Sequence, residues 1–320
     1  MATRFRKLAA LAVLAAGAIA PAASAELIYM TIRESSAMDP QDKLLTFDSA
    51  TPGTVTDLGF ITGLGNLQYL AGIDFRPATG ELYGLGYTGS VYKIDINTLA
   101  ATNQGFIAGS PTSWVNAGFD FNPTVDLIRV TDGPTAVNAV FNPVLGTGAP
   151  QTPLSYAVGD PNVGATPEVG GVAYSNNVNG AVTTTAYGID VGPLASARLV
   201  TINPPAAGTL NTVGNLGVTA GEASGFDISG ATGVAYVVLS DFVNGQNIPT
   251  LYTINLATGA ATIVGAVGVD TFNYRVTGIS VAPDFSNGGG GPNGVPLPLP
   301  VVAGPVIAGV AMWMRRRAVR

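Results

Sequence analysis

Three aspartates, Asp74, Asp120 and Asp227, each stand two residues after a glycine in the related segments Gly72-Ile73-Asp74-Phe75, Gly118-Phe119-Asp120-Phe121 and Gly225-Phe226-Asp227-Ile228. Carboxylic acids of this kind are what glycosidases use to protonate a leaving oxygen and to attack or stabilise the sugar. If the segments are arranged about one axis, the three acids gather around a channel, and glycoside hydrolysis or elimination is one reading of them. The other reading is structural. A residue that recurs at one position of every copy works as a turn or strand-end cap, whereas an acid and its base need unlike surroundings. Much other chemistry is closed off, because the chain has no cysteine and no histidine. A Ser-His-Asp triad, a thiol nucleophile, a disulfide framework and any His- or Cys-ligated metal centre cannot be built from it. No catalytic or cofactor-binding residue is assigned, and the missing residue types favour a binding or structural module over an enzyme.

Five further acids, Asp39, Asp42, Asp126, Asp132 and Asp160, fall in stretches that read as loops. Clustered loop oxygens suit calcium, which takes six to eight hard ligands, but no calcium-loop spacing is present, so solvated turn carboxylates are the alternative. Gly84-Leu85-Gly86-Tyr87-Thr88-Gly89 matches a phosphate-binding glycine pattern. That pattern must open a helix, and the residues after it, Val91 to Ile96, alternate as a strand, so it reads as a hairpin turn. Tyr29, Tyr69, Tyr83, Tyr92, Tyr174, Tyr187, Tyr236 and Tyr252 sit mostly in strand-like stretches. Most are packing residues, and one or two are free to line a ligand-accepting face.

The elements that must position these residues form a repeat. The unit has an apolar strand near the Gly-x-Asp motif, a turn, a strand with a central Tyr, a third strand, a Thr-Gly turn, and a fourth strand ending in Gly. The clearest copy runs from Ala71 through Val91-Tyr92-Lys93-Ile94 to Ile107, and a second from Ser224 through Leu251-Tyr252-Thr253-Ile254 to Gly265. Looser copies run from Gly118 to about Ala157 and from Gly171 to Asn203. Four short strands per unit, at a spacing of roughly 40–55 residues, fit propeller blades, each of which exposes apolar faces that only its neighbours bury. Leu27 to Ile32, Lys43 to Phe47 and Val55 to Phe60 read as three strands lacking a first one, and Val276 to Val281 as a first strand lacking the rest. The expected fold is therefore all-β, a β-propeller of about five four-stranded blades whose ring is closed by strands from both chain ends.

Outside residues 26–285 the composition changes. Arg4, Arg6 and Lys7, an apolar run to Ala20, and the small residues Ala23 and Ala25 before Glu26 read as a signal peptide over residues 1–25. A Gly/Pro-rich spacer (286–296), an uncharged apolar segment (297–314) and a basic tail (315–320) follow the body. The segment is near the minimum length for one membrane helix, with Trp313 at its edge and Arg315, Arg316 and Arg317 retained inside. Seven of the 14 basic residues lie in these two ends, so the body holds 7 basic against 20 acidic side chains, a net of −13. Such a surface repels nucleic acid and anionic lipid. The expected location is the cell envelope or surface, with a glycan or another protein as ligand.

Two resemblances refine this reading. Val295-Pro296-Leu297-Pro298, the apolar segment and Arg315 to Arg317 resemble the PEP-CTERM class of sorting signals, with leucine where many members carry glutamate. That implies a sorting protease as partner and a setting of exopolysaccharide production. Gly72 to Gly86, Phe119 to Val130 and Tyr156 to Asn162 resemble the bacterial family called domain of unknown function 4394. This implies a propeller-like extracellular domain and no established activity.

Overall fold

The computed structural model describes residues 25–34, 41–65, 68–109, 111, 113–192, 197–220, 222–243 and 246–283. Cleavage-site residue Ala23 and the sorting-signal residues Val295, Pro296, Pro298 and Arg315 to Arg317 lie outside them, as does loop acid Asp39. The described residues are all β apart from one 3-10 turn, Pro205–Ala207, and none of their helices is long and apolar enough to cross a membrane.

Strands β1 (Leu27–Glu34), β2 (Asp42–Asp48) and β3 (Val55–Phe60) form a meander, as alternating apolar residues and the turn at Ser49–Thr54 dictate. The chain then makes two more meanders, β4 (Leu70–Phe75) to β5 (Leu82–Gly86), β6 (Ser90–Ile94) and β7 (Ala101–Ile107), and β8 (Ala117–Asn122) to β9 (Leu127–Asp132), β10 (Val137–Asn142) and β11 (Thr147–Pro150). These two runs merge into one eight-stranded sheet, because the outer strands β7 and β11 pair in parallel at Phe106–Thr147 and Ile107–Gly148. The looser copy that starts at Gly118 accordingly ends at Pro150, short of Ala157. Beyond it β12 (Ser155–Tyr156) crosses to the next sheet, which holds β13 (Val169–Tyr174), β14 (Ala186–Asp190), β15 (Arg198–Ile202) and β16 (Thr209–Asn215) in the order β12-β16-β15-β14-β13. The last sheet runs β17 (Glu222–Ile228), β18 (Ala235–Val243), β19 (Gln246–Ile254) and β20 (Ala261–Ala266). The chain then returns as β21 (Tyr274–Val281) to pair antiparallel with β1, setting Val281 opposite Ile28 and Ile279 opposite Met30.

Burial grades outward along every run. β4 and β13 are buried at each position, whereas β3 and β20 are mostly exposed. A strand walled by neighbours on both faces takes a continuous apolar stretch such as Leu-Ala-Gly-Ile-Asp-Phe, and a strand at the rim need not. The innermost strands touch one another in the closed order β4, β8, β13, β17, β21 and back to β4. Between adjacent runs lie separate apolar clusters, such as Tyr83, Leu85 and Val91 against Phe119, Phe121 and Ile128, or Ile28, Met30 and Leu45 against Val238 and Leu251. The result is a propeller-like ring with its seam inside a sheet made from both ends of the chain, where β21 covers the edge that β1 would otherwise expose.

Each innermost strand carries a glycine, Gly72, Gly118, Gly171, Gly225 or Gly278, at the closest approach to the next. A Cβ at Gly118 would sit 2.6 Å from Val172 N, and one at Gly278 would sit 2.9 Å from Ile73 N. No side chain fits there, so this repeated glycine sets how tightly the strands close on the axis.

Candidate functional site

Side chains alternate along a strand, so the residue two places after each of these glycines faces the same neighbour. Those residues are Asp74, Asp120, Ala173, Asp227 and Ser280. Asp74 Oδ2 accepts the Phe121 N–H of the next inner strand at 2.8 Å. Asp120 Oδ1 accepts the Tyr174 N–H at 2.9 Å, and Asp227 Oδ2 accepts the Val281 N–H at 2.6 Å. Ser280 Oγ accepts the Phe75 N–H at 3.2 Å and so closes the circle. The circle has one break, at Ala173, where the Ile228 N–H turns instead to its neighbour Asp227 Oδ1 at 2.6 Å. The recurring aspartate is thus a latch between runs. It holds a backbone donor on the neighbouring run, about 50 residues further along the chain, which is a different task from the turn or strand-end cap expected within its own unit.

The structure brings the three acids together. Asp74, Asp120 and Asp227 are each 1% exposed, and one carboxylate oxygen from each lies within 4.8 Å of the others. Burial pushes Asp74 well above the usual carboxylate range, and the nearby Asp227 charge pushes it further. Burial does the same for Asp120, with Asp74 and Asp227 adding to it. Burial raises Asp227 to about 6, against the pull of the Val281 and Ile228 N–H groups. Three buried carboxylates this close cannot all carry unbalanced charge at neutral pH. No ion pair among the described residues involves any of them. Asp120 Oδ2 is buried without a hydrogen-bond partner.

A small pocket lies where β4, β8, β17 and β21 begin, and this mouth is lined by Arg33, Tyr69, Val115, Asn116, Glu222 and Arg275, among others. The Arg33 guanidinium lies 3.8 Å over the Tyr69 ring, and Tyr69 meets Tyr87 at 4.3 Å between ring centres. Arg275 pairs with Glu222 at 2.5 Å. Tyr69, Val115, Glu222 and Arg275 each stand three residues before one of the repeated glycines. Two residues after the glycine, three of the five positions are aspartate; three residues before it stand Tyr69, Val115, Glu168, Glu222 and Arg275.

A family model described as a domain of unknown function, DUF4394, matches residues 43–280. The chain belongs to the DUF4394 family. No curated protein matches the sequence. The DUF4394 chain is similar to a solved structure described as that of the Dos1 propeller, at 11% identity and a TM-score of 0.40, over 73% of this chain and 58% of that one.

The loop acids do not assemble in the DUF4394 chain. Asp42 is the first residue of β2 and Asp132 the last of β9, and each is 1% exposed, so neither is a solvated loop residue. Asp126 pairs with Arg76, and Asp160 accepts the Thr212 N–H at 2.6 Å. Among the described residues, the group of acids close enough for a shared metal is the channel trio. The glycine-rich segment Gly84 to Val91 is the β5–β6 hairpin, with Gly89 at φ 95°. Sequence reasoning missed the buried arginines. Arg129 reaches from β9 to Tyr174 Oη at 2.7 Å, and Arg198 lies 3.5 Å from Asp190 and 3.2 Å from Tyr156 Oη. It also missed Arg33, Glu222 and Arg275 at the mouth. Their signal was available as an offset, three residues before the motif glycine for Glu222 and Arg275, where the copies stop resembling one another.

Proposed function

We propose that this chain is a five-bladed propeller, exported and held at the cell surface. There it acts as a non-enzymatic module that binds a matrix glycan at the mouth of its central channel. The observation that carries this reading is the contrast between interior and mouth. Repeated groups inside the channel are buried and engaged in holding strands together, so they offer no acid or base to a substrate in solution. The mouth instead presents unlike groups, the half-buried Tyr69–Tyr87 pair with Arg33, and Asn116 and the Glu222–Arg275 pair across from it. A flat aromatic face beside bidentate donors and acceptors suits a sugar ring, whose carbon face stacks and whose hydroxyls need both kinds of partner. Export and anchoring rest on the sequence of the two ends, residues 1–25 and 286–320, and the PEP-CTERM-like tail makes a sorting protease a second partner.

The test is retention of the full chain on a panel of immobilised polysaccharides, followed by titration calorimetry. The expected result is binding without turnover, weakened roughly tenfold or more by Tyr69→Ala or Arg275→Ala at unchanged melting temperature. Retention on no polysaccharide overturns the reading, and so does turnover that Asp74→Asn abolishes, which would restore the hydrolase or lyase alternative.

A further inference from the structure

The channel acids have a feature that latching does not explain. A latch needs one carboxylate oxygen per strand, and a neutral amide would accept the same N–H without a buried charge. Asp120 uses Oδ1 for Tyr174 and keeps Oδ2 buried and unpartnered, beside two more carboxylates and, among the described residues, with no cationic side chain paired to any of them. Ser280 Oγ adds a fourth oxygen, 2.8 Å from Asp74 Oδ1 and 3.2 Å from Asp227 Oδ2. One hydroxyl hydrogen cannot serve both carboxylates at once.

We propose that the axis of the ring binds one divalent cation of the size and oxygen preference of calcium, held between Asp74, Asp120 and Asp227 with Ser280 Oγ beside it. The geometry fits. When three oxygens lie within 4.8 Å of one another, some point lies within about 2.8 Å of all three, close to the 2.3–2.6 Å of calcium–oxygen bonds. Each carboxylate oxygen that accepts one N–H keeps a second lone pair for the metal. The ion supplies Asp120 Oδ2 with its missing partner and replaces protons as the means of neutralising the trio. It also ties together β4, β8 and β17, three of the five inner strands, across the break at Ala173. The mouth residues Tyr69, Glu222 and Arg275 lie five residues, about 16 Å, back along the same strands.

The experiment is metal analysis of the purified full chain after gel filtration, with thermal unfolding before and after chelation by EDTA and after refilling with calcium or magnesium. The expected results are about one calcium per chain, a melting temperature lowered by several degrees on chelation, and recovery with calcium better than with magnesium. Asp120→Asn should lose the metal and the response to EDTA while still unfolding cooperatively; should that variant not fold, Asp227→Asn serves in its place. A chain without metal, whose melting is indifferent to EDTA and rises in Asp120→Asn because an unpaired buried charge has gone, overturns the proposal in favour of shared protons. Metal retained in both variants also overturns it, since the ion is then elsewhere.

Discussion

Removing β21 tests the closure of the ring most directly. A chain of residues 26–273 lacks the strand, and one of residues 26–283 keeps it. In the intact fold Val276, Ile279 and Val281 are buried, at 8, 2 and 7% exposure. At about 1.5–3 kcal/mol for each such side chain, their loss removes roughly 5–9 kcal/mol. The partners suffer as well. Asp227 Oδ2 loses the Val281 N–H, Asp74 Oδ1 loses Ser280, and the Phe75 N–H loses its acceptor. Each buried group left unsatisfied costs about 1–3 kcal/mol more. The total reaches or exceeds the roughly 5–15 kcal/mol of net stability that a domain holds. The shorter chain should therefore show no cooperative thermal transition by circular dichroism or calorimetry, and should aggregate through the freed edge of β1, while the longer one melts cooperatively. Equal melting temperatures for the two would refute the closed ring and, with it, the assignment of β21 as an innermost strand.

Two interior substitutions and one exposed control extend the tests. Asp42 is buried, its Oδ2 accepts the Leu70 N–H at 2.7 Å, and burial raises its pKa from 3.8 to about 7. Its folded pKa is above its unfolded one, so its contribution is most favourable below pH 4 and is lost as pH rises through 7, by at most about 4 kcal/mol. Asp42→Asn should therefore match the parent in urea unfolding near pH 4 and exceed it by up to that amount at pH 8; a difference that does not change with pH would remove the argument. Gly118→Ala puts a methyl 2.5 Å from Thr131 Oγ1 and 2.6 Å from Val172 N, so it should destabilise by about 2–3 kcal/mol or more. Gly53→Ala, whose new atom would meet only Ala266 O at 3.8 Å, should stay within about 0.5 kcal/mol. Similar losses at both sites would mean that the glycines of the inner strands are not contact points.

The sequence by itself determined the repeat, the all-β class, the shared sheet at the chain ends and the recurrence of Gly-x-Asp. These are carried by period-two alternation and by turn residues within a few positions of one another, and such signals survive without knowledge of the rest of the chain. Even the hairpin at Gly84 to Val91 could be told from a phosphate loop, because the alternation that follows it is local. What Asp74, Asp120 and Asp227 do was not legible, since their partners are backbone N–H groups on a strand about 50 residues away, and a backbone donor leaves no mark in a sequence. The same holds for the burial of Asp42 and Asp132, which depends on what packs over the ends of β2 and β9, and for Arg129 and Arg198, whose partners come from other strands. The parallel pairing of β7 with β11, and the transfer of Ser155–Tyr156 to the next sheet, are choices among outer edges that local pattern leaves equivalent. Only the closing of the ring decided them, because it fixes which backbones come within hydrogen-bonding distance and brings three carboxyl groups to one axis.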